Sequence, residues 1–489
     1  MGADHQIAFF LRELAAPEPW RRAAAAKGLG RIGRTEQVMA LIHAGRDTDP
    51  AVRAAAALGL GRLGAPGADE VLIALMRDAD AQVRRRATVA ARLLELTGPA
   101  VTDAFGRLLR DPDRYVRLNA LTGLTRLKAI GDGKALVLLL GEPDWRIWGH
   151  ARGLVATQMD DDLRAEVLHT ARQGPGAARA RALEMLPARD THRLRDSLLE
   201  GLHNPAPEVR EAVVGKLVDL KKRGTAALLL TVLQDERHPD VARRLLRALA
   251  RLGERRLLAA ALPWLDHPDV GPVAVDVLAD IGTPTAVRQI RSVLTQWPCH
   301  PAIQAAAAKA LGELGDRKAL DLLLPLLNDE DRQVRSGALT GLGGLGHHRL
   351  PPAERRRAVE ALMHCLVSDP QVLWHTGSAL RGYPEVLPWV RGLLEEAAPD
   401  VRATALSLLD DTDEADGRLF LTYLSDPDDD VRYQAAIGLG RYAEEHGALP
   451  PGGDGAIGVL TALTSDASGG VRWAAARVLR ALETPGTEP

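Results

Sequence analysis

The side chains in this sequence that are best suited to bind a metal ion are a group of histidines and one cysteine. Imidazole and thiolate groups bind transition metals, and the group consists of His347, His348, His364, Cys365 and His375. Cys365 occupies the place that Leu327 takes in the preceding copy of the repeat described below, which favours a core thiol over a ligand. No histidine is followed by Glu, and no two histidines are spaced as His-x-x-x-His, as in zinc hydrolases. We therefore predict no metal ion, no cofactor and no catalytic residue.

An acidic run, Asp410–Gly417, has the composition of a calcium-binding loop. A calcium loop that begins at Asp411 has ligands at alternate positions, so it would need an oxygen ligand at position 415, which is Ala. It would also need a Glu at its twelfth position, and none stands there. A solvated loop is therefore favoured over a calcium site. Together with Asp426, Asp428, Asp429 and Asp430, the run predicts an acidic edge that can attract a basic partner.

Basic clusters occur at Arg84–Arg86, Lys221–Arg223 and Arg355–Arg357. A protein that follows a nucleic-acid duplex presents such charge along one face and is basic overall. This chain has a formal net charge of −2, and long balanced stretches separate its clusters. Nucleic-acid binding is therefore only the third hypothesis for its function.

The helices that carry these side chains can be predicted from a repeated sequence stretch, of which Asp49–Gly64 is a regular example. Asp49 can cap a helix by accepting a hydrogen bond from a backbone N–H, and Pro50 suits the first helical position because it has no N–H. Apolar residues then recur with helical period, at Val52, Ala56, Gly59, Leu60 and Leu63. Gly64 is expected to end the helix in a left-handed cap. The stretch predicts an amphipathic helix that a neighbour can approach closely at its small residues.

Copies of this stretch recur along the chain, about fifteen in all, with a period of roughly 31 residues. With Val52 as the anchor, the equivalent residues are Trp20, Val83, Val116, Ile147, Ala178, Val209, Val241, Val270, Ile303, Val334, Val372, Val401, Val431 and Val471. A second apolar segment, such as residues 318–327, precedes each anchored helix, and its Leu and Ala content predicts another helix. We call the first helix of each pair A and the second B. The sequence thus predicts an all-α chain of about thirty helices, an α-α superhelix or solenoid.

The helix pair, the A-segment prolines and the Asp-x-x-Val-Arg opening of helix B resemble HEAT repeats. The prolines are Pro263, Pro325 and Pro388. The short period and the Ala-x-x-Gly-Leu-x-x-Leu-Gly ending are similar to the HEAT-like repeats of phycobilisome (bilin) lyases. This resemblance implies a binding scaffold, with a bilin-lyase-like enzyme or accessory subunit that holds a linear tetrapyrrole as the alternative.

The resemblance also implies a role for the Arg that follows each anchor. In HEAT-like repeats this Arg typically bridges successive repeats with the nearby Asp, which would be Asp49, Asp80 and Asp113 here. Three successive copies lack the Arg and carry Ala242, Gly271 and Gln304 instead. The segment around residues 240–305 thus lacks its usual polar cross-link. The plainer interpretation is that packing there is simply apolar, and the alternative is a softer, more curved segment.

We predict one continuous solenoid over residues 1–483, with a capping repeat at 1–34 and a disordered tail at 484–489. Two long intervals between anchors predict extended loops near 347–353 and 446–455. The N-terminus does not resemble a signal peptide, and no stretch is apolar enough for a membrane span. The only cysteines, Cys299 and Cys365, cannot form a disulfide framework, which fits a reducing cytoplasm.

The position two residues after each anchor lies about 200° from the apolar stripe, on what should be the solvated face. Early copies carry Ala54, Arg85, Leu118 and Gly149 there, whereas C-terminal copies carry Trp374, Tyr433 and Trp473. Large exposed aromatic side chains are typical of protein-binding hot spots. Together with Asp428 and Asp429, they predict a site for a basic, hydrophobic segment on a non-enzymatic scaffold, on the concave face lined by B helices. The alternative is that these rings pack over adjacent repeats or cap the last one.

Overall fold

The structure is a computed structural model that describes residues 3–64, 67–220, 222–295, 299–348, 350–409 and 413–483. Within these ranges the regular secondary structure is helical and no strand is present. The all-α prediction is therefore confirmed. The predicted tail at 484–489 and the start of the acidic run at 410–412 lie outside the described residues.

The chain divides into two compact units. Unit 1 comprises residues 1–232 and 236–248, and unit 2 comprises residues 233–235 and 249–489. Helices that begin in unit 1, the last two of which extend into unit 2, are α1 (Ala3–Glu13), α2 (Pro19–Ile32), α3 (Val38–Ala44), α4 (Pro50–Leu63), α5 (Asp69–Leu75), α6 (Ala81–Leu93), α7 (Pro99–Leu108), α8 (Arg114–Leu127), α9 (Gly133–Leu138), α10 (Trp145–Thr157), α11 (Asp161–Gln173), α12 (Gly176–Met185), α13 (Ala188–Thr191), α14 (Arg195–Gly201), α15 (Pro207–Asp219), α16 (Thr225–Asp235) and α17 (Pro239–Arg251).

Unit 2 continues the same alternation of helices. Its helices are α18 (Leu257–Ala261), α19 (Gly271–Ile281), α20 (Pro284–Thr295), α21 (Pro301–Glu313), α22 (Leu320–Leu326), α23 (Arg332–Gly346), α24 (Pro352–Ser368), α25 (Leu373–Leu380), α26 (Leu387–Glu396), α27 (Pro399–Leu408), α28 (Glu414–Tyr423), α29 (Asp429–His446), α30 (Ala456–Leu463) and α31 (Gly469–Glu483). Short 3₁₀ helices cover Thr35–Gln37, Leu139–Gly141, His192–Leu194, Leu262–Trp264, Arg317–Ala319, Pro370–Val372, Pro384–Val386 and Gly453–Gly455. The B helices, one at each predicted anchor, are α2, α4, α6, α8, α10, α12, α15, α17, α19, α21, α23, α25, α27, α29 and α31.

Helix α4 shows how the repeated stretch folds. The Asp49 side chain accepts a hydrogen bond from the backbone N–H of Ala51 at 2.8 Å, which satisfies one of the free donors at the helix start. Pro50 follows as the first helical residue, and Gly64 ends the helix in the left-handed region at φ +63°. Both end signals act as predicted.

The first three B helices of unit 1, α2, α4 and α6, pack almost backbone to backbone. Val52, Ala56 and Leu60 are fully buried on the stripe, as predicted. The contact is closest nine residues after the anchor, where a Cβ on Gly61 would lie 2.7 Å from the Cα of Ala90 on the next B helix. The small residues therefore set the distance between repeats.

The predicted arginine bridge exists, but its acidic partner is not the predicted one. Arg53 binds Asp78, and Arg84 binds Asp111, two residues before the helix caps Asp80 and Asp113. Asp80 accepts from the backbone N–H groups of Gln82 and Val83 at the start of α6. Capping does not exclude a contact between repeats, because Asp113 caps α8 and also binds Arg85. The arginines that follow the anchors nevertheless bind the aspartates two residues before the caps.

The first repeat was predicted one residue out of register. The arginine that bridges to the next repeat is Arg22, which binds Asp47 at 2.8 and 2.9 Å, so the true anchor is Arg21 rather than Trp20. Arg21 instead pairs with Glu13 on α1, and the Trp20 side chain is exposed. The error arose because a large apolar residue was preferred for a position that this repeat fills with a charged one.

The repeats that lack the anchor arginine have other polar links. In unit 2, Arg291 on the A helix α20 binds Asp316, in the loop before the next A helix, through two hydrogen bonds of 2.8 Å. In unit 1, where Trp148 replaces the arginine, Arg181 of the next B helix stacks on the Trp148 ring at 4.3 Å. The expectation that the segment around residues 240–305 lacks polar cross-links is therefore wrong at its C-terminal end.

Both long intervals between anchors contain helix as well as loop. After α23 ends at Gly346, α24 begins at Pro352 and runs for 17 residues, so much of the extra length extends an A helix. After α29 ends at His446, Gly447 adopts a left-handed conformation and α30 begins at Ala456.

Candidate functional site

Trp374 is the most exposed of the aromatic side chains predicted to form the site, with 76% of its surface accessible. It lies in the first turn of α25, directly after the 3₁₀ helix Pro370–Val372. Its ring contacts the imidazole of His375 edge-on, with the ring centres 5.0 Å apart. The only ring contact that Trp374 makes with the described residues is thus with its neighbour in the chain, which leaves its faces open.

His375, next to Trp374, is half-buried and is held in its neutral form. Burial lowers the pKa of His375, and the nearby charge of Arg332 lowers it further. Its Nδ1 atom is buried and has no hydrogen-bond partner among the described residues. The surface around Trp374 is therefore aromatic and uncharged at its centre.

Tyr433 and Trp473 lie on neighbouring B helices, α29 and α31, and share surroundings. The Tyr433 ring packs on the backbone of Gly470, where an added Cβ would lie 3.3 Å from the ring. Arg477 lies 5.9 Å from the centre of the Trp473 ring, and it binds Glu444 through two hydrogen bonds of 2.7 Å. The Tyr433 ring thus packs over the adjacent repeat, which was the alternative to a binding role, whereas Trp473 remains 52% exposed.

The predicted aromatic site forms two surface features rather than one. Helix α27 packs between α25, which carries Trp374, and α29, which carries Tyr433. Packed helices lie about 8–10 Å apart, so Trp374 and Tyr433 are separated by about two such spacings. A ligand that touches both needs an extended segment.

Asp428, predicted to offer negative charge to a partner, caps helix α29. Its carboxylate accepts from the backbone N–H groups of Asp430 and Val431 at 3.1 and 3.2 Å. Asp426 is likewise engaged, by Arg402. The exposed acidic residues among those described for this edge are Asp413, Glu414, Asp429 and Asp430, whereas Asp416 is buried. Asp413 caps α28 and Glu414 pairs with Arg418.

The position two residues after the anchor is not a solvated face in most repeats. Ala54, Ala180, Ala305 and Ala403 occupy it and are buried. The helical-wheel argument failed because each internal B helix is flanked by two other B helices as well as by its own A helix. The surface presented to solvent is therefore narrower than an isolated helix pair would suggest, and this makes Trp374 exceptional. Trp473 lies on α31, the last described helix, which packs on one other B helix, α29.

The histidine and cysteine group is spread over separate environments. Cys365 is a buried thiol whose pKa is raised by burial, as the core prediction requires. His348 packs over Gly315, and its Nε2 lies 3.1 Å from the carbonyl oxygen of Glu313, while His347 and His364 are exposed. In the part of the chain that the structure describes, no three His, Cys, Asp or Glu side chains are arranged to hold a metal ion.

A cavity in unit 1 was not anticipated from the sequence. It lies between the C-terminal ends of the B helices α6 and α8, has a volume of about 340 Å³ and is lined by Ala91, Arg92, Glu95, Leu96, Thr97, Phe105, Gly123, Arg126 and Leu127. The sequence signal is Arg92 itself. It stands nine residues after its anchor, where Gly30, Gly61, Gly312 and Gly343 stand in other repeats.

Comparison with known proteins identifies the repeated unit. Three segments, residues 7–93, 294–375 and 417–488, match the family model of HEAT repeats. These segments are HEAT repeats. The more specific similarity to bilin-lyase repeats is not part of this match. None of the curated proteins matches the sequence significantly.

Solved HEAT-type structures share the fold. An importin beta structure aligns over 97% of this chain and 72% of its own length, with 14% identity and a TM-score of 0.51. A Kap95:Nup1 complex aligns over 97% and 75%, with 13% identity and a TM-score of 0.57. Yeast importin-beta (Kap95p) gives the same coverage and identity, with a TM-score of 0.52. Together with the HEAT segments, these likenesses confirm the predicted fold class, an all-α superhelix.

No helix among the described residues combines the length and apolarity needed to cross a lipid bilayer.

Proposed function

We propose that this chain is a non-enzymatic scaffold that binds a protein or peptide partner on the face lined by its B helices, the concave face in solenoids of this type. The observation that carries this proposal is the exposure of Trp374. A tryptophan that leaves three-quarters of its surface in water costs solubility and gives little packing in return. Such side chains are common as anchors of protein–protein interfaces, because they bury a large apolar area at a small entropic cost.

The comparisons support a protein partner rather than a small substrate. Similar HEAT-type structures include a complex of Kap95 with Nup1 and Kap95p bound to RanGDP. Those partners belong to those proteins. What carries over is the use of stacked helix pairs as an extended protein-binding surface.

A basic, hydrophobic segment is the partner chemistry we favour. The open faces of Trp374 can accept cations as well as apolar groups, because an aromatic ring carries negative charge on its faces. Trp473 shows the same preference within the chain, since Arg477 lies over its ring at 5.9 Å. Asp429 and Asp430 add exposed negative charge near Tyr433. Because Trp374 and Tyr433 lie on B helices separated by α27, the segment must extend across three repeats.

Site-specific photocrosslinking tests this proposal directly. We would place a photoreactive phenylalanine analogue at position 374 and, as a matched control, at position 389. Trp389 is 50% exposed in the same unit but lies on the A helix α26. We expect position 374, and not 389, to crosslink one partner in the native cytoplasm, and Trp374→Ala to weaken that partner's purified complex by at least tenfold. Equal crosslinking at both positions, or unchanged affinity, would refute the proposal.

The alternative functions give different results in simple assays. A bilin-lyase-like chain would bind added linear tetrapyrrole and shift its absorption spectrum, and a nucleic-acid binder would retard a labelled duplex in a salt-dependent manner. We expect neither. We also expect the chain to act in the cytoplasm, where Cys299 and Cys365, both free in the structure, stay reduced.

A further inference from the structure

The cavity between α6 and α8 in unit 1 exists because two B helices stand apart there. In the two preceding repeats the position nine residues after the anchor is Gly, and the next B helix packs against its backbone, as Gly61 does against Ala90. In α6 this position is Arg92, whose side chain reaches α8 and donates from Nη1 to Asn119 Oδ1 at 3.1 Å. A long side chain thus separates the two helices and opens a cavity of about 340 Å³, large enough for a small ligand group.

The edge of the Arg92 guanidinium group that carries Nε and Nη2 is the edge with which other arginines of this protein bind carboxylates. In Arg22, Arg53 and Arg210, the Nε and Nη2 atoms together hold an Asp or Glu side chain with two hydrogen bonds. The Nε atom of Arg92 is buried, yet it has no hydrogen-bond partner among the described residues. A buried donor without an acceptor costs about 1–3 kcal/mol, which an incoming oxygen would recover.

A second arginine adds to the positive charge of the cavity. Arg126 on α8 donates from Nη1 to the backbone carbonyl of Arg92 at 3.0 Å, which brings the two guanidinium groups into the same cavity. Burial lowers the pKa of Arg92, and the charge of Arg126 lowers it further. The C-terminal ends of α6 and α8 contribute about half a negative charge each, and Glu95 at the rim adds a full one, so the two guanidinium groups roughly balance the negative charge around the cavity.

Apolar side chains line part of the cavity. Phe105 fills the space beside Gly123, where an added Cβ would lie 2.6 Å from its ring, and Leu96 and Leu127 line the cavity with it. Glu95, at the rim, adopts a positive φ of 51° that ends α6, as Lys128 at φ 50° ends α8.

We propose that this cavity binds a carboxylate group, held by the guanidinium groups of Arg92 and Arg126, with Phe105 and Leu127 contacting the apolar part of the ligand. A carboxylate fits better than a larger anion, because the planar fork of Arg92 matches its two oxygens and apolar side chains line part of the walls. The carboxylate belongs either to a free small acid or to an acidic side chain of a protein segment. This site is independent of the aromatic surface around Trp374.

Calorimetric titration with defined probes tests the proposal on the full chain. The probes are benzoate, the capped amino acid N-acetylglutamate N-methylamide, a nine-residue peptide with a central Glu, and inorganic phosphate. The matched neutral probes are benzamide and the corresponding Gln compounds. We expect the carboxylates to bind and their neutral counterparts not to bind. Binding of the small acids identifies a free-acid site, whereas binding of the peptide alone identifies an acidic side chain of a partner. Failure of every carboxylate, or tighter binding of phosphate, would overturn the proposal.

Variants of the cavity residues then locate the site. Arg92→Gln and Arg126→Gln should each weaken carboxylate binding at least fivefold, and Glu95→Gln should strengthen it by removing a nearby negative charge. Arg62→Gln is the matched control, because Arg62 is exposed and stands in α4 where Arg126 stands in α8. Arg126 is itself exposed, so its variant is expected to fold even if Arg92→Gln does not. Unchanged affinity in Arg126→Gln, or an equal loss in Arg62→Gln, would refute this assignment.

Discussion

The guanidinium group of Arg53 binds the carboxylate of Asp78 in the next repeat through two hydrogen bonds, from Nε to Oδ2 at 2.7 Å and from Nη2 to Oδ1 at 2.8 Å. Its Nη1 atom donates to the backbone carbonyls of Asp47 and Thr48, in the turn before its own helix. Asp78 also accepts from the backbone N–H of Asp80 at 2.9 Å, and its carbonyl accepts from Arg84 of the next link. Each arginine of this kind therefore connects the turn before its own helix to the turn before the next B helix. Each aspartate contacts two successive arginines, one through its carboxylate and one through its backbone carbonyl.

Replacing Arg53 with Ala should destabilise the α4–α6 region by about 2–3 kcal/mol, because the mutation leaves the mostly buried Asp78 without its partner. Arg53→Lys should cost nearly as much, since an ammonium group cannot form the two-pronged contact. The measurement is native-state hydrogen exchange of α4 and α6. Arg146→Ala is the control, because Arg146 pairs only with Asp144 in its own turn and is 46% exposed. A control that costs as much as Arg53→Ala would contradict this prediction.

Stability should fall steeply in acid because of the same links. The hydrogen bond from Arg22 lowers the pKa of Asp47. Burial is the largest influence on Asp78 and Glu236 and would raise the pKa of each, but it is outweighed by the hydrogen bonds from Arg53 and Arg210 together with those from backbone N–H groups and the arginine charges. Groups with a lowered folded-state pKa bind protons more readily when unfolded. Their contribution is therefore full above the unfolded pKa of about 4 and is lost as the pH falls through the folded value.

Urea unfolding monitored by circular dichroism between pH 7 and pH 2 would measure this loss. The Arg53→Ala variant should show a shallower decline below pH 4 than the natural chain, because Asp78 no longer has a lowered pKa. Parallel declines in the two proteins would show that the links do not set the acid sensitivity.

The helices and their order could be predicted from the sequence because local signals specify them. Asp49, Pro50 and Gly64 act within one helix, and the apolar period of Val52 and Leu60 needs no knowledge of neighbours. The acidic partner of Arg53 could not be chosen this way. Asp78 and Asp80 are almost equally close in sequence and both accept backbone N–H groups, so only the placement of Asp78 opposite Arg53 in the folded chain decides between them.

The candidate sites were predicted less well than the fold, for a related reason. The position of Tyr433 was judged from a single helix, yet its ring packs on Gly470 of the next repeat. The cavity at Arg92 depends on the distance between α6 and α8, which no residue of either helix specifies alone. The substitution of Arg for Gly at that position was nevertheless visible in the sequence, and it marks the place where the regular spacing changes.

Two glycine variants should have opposite effects on stability. Gly312→Ala in α21 should destabilise by about 1–3 kcal/mol, because its Cβ would overlap the backbone of Gly341 on α23. Gly153→Ala in α10 should stabilise by about 0.5–1 kcal/mol, since an added Cβ would meet nothing within 4 Å and Ala favours the helix. Thermal unfolding compares the two variants. A neutral Gly312→Ala would show that the B helices can move apart freely.

Hydrogen exchange should be faster in α19 than in the regular B helix α23 of the same unit. Gly271 replaces the bridging arginine in α19, whereas Arg335 provides it in α23 by binding Asp369 at 2.8 Å. Fewer links between neighbouring repeats lower the free energy of local opening. Arg291→Ala should extend the fast exchange to α20 and α21, because it removes the A-helix link to Asp316. Exchange that is slowest in α19 among the internal B helices would contradict the prediction.

Trp374 and Tyr433 should respond differently to replacement by Ala, and the difference separates binding from packing. Trp374→Ala should change the free energy of unfolding by less than about 0.5 kcal/mol, because a side chain that is 76% exposed contributes little to the folded state. Tyr433→Ala should cost about 1–2 kcal/mol, because its ring covers Gly470 and lies beside Arg477. If both residues contact the partner, both variants weaken binding, but only Tyr433→Ala lowers the melting temperature. Thermal unfolding together with calorimetric titration of the partner identified by crosslinking measures both quantities. A large loss of stability in Trp374→Ala, with binding retained by the folded fraction, would assign Trp374 to packing and remove the main support for the scaffold site.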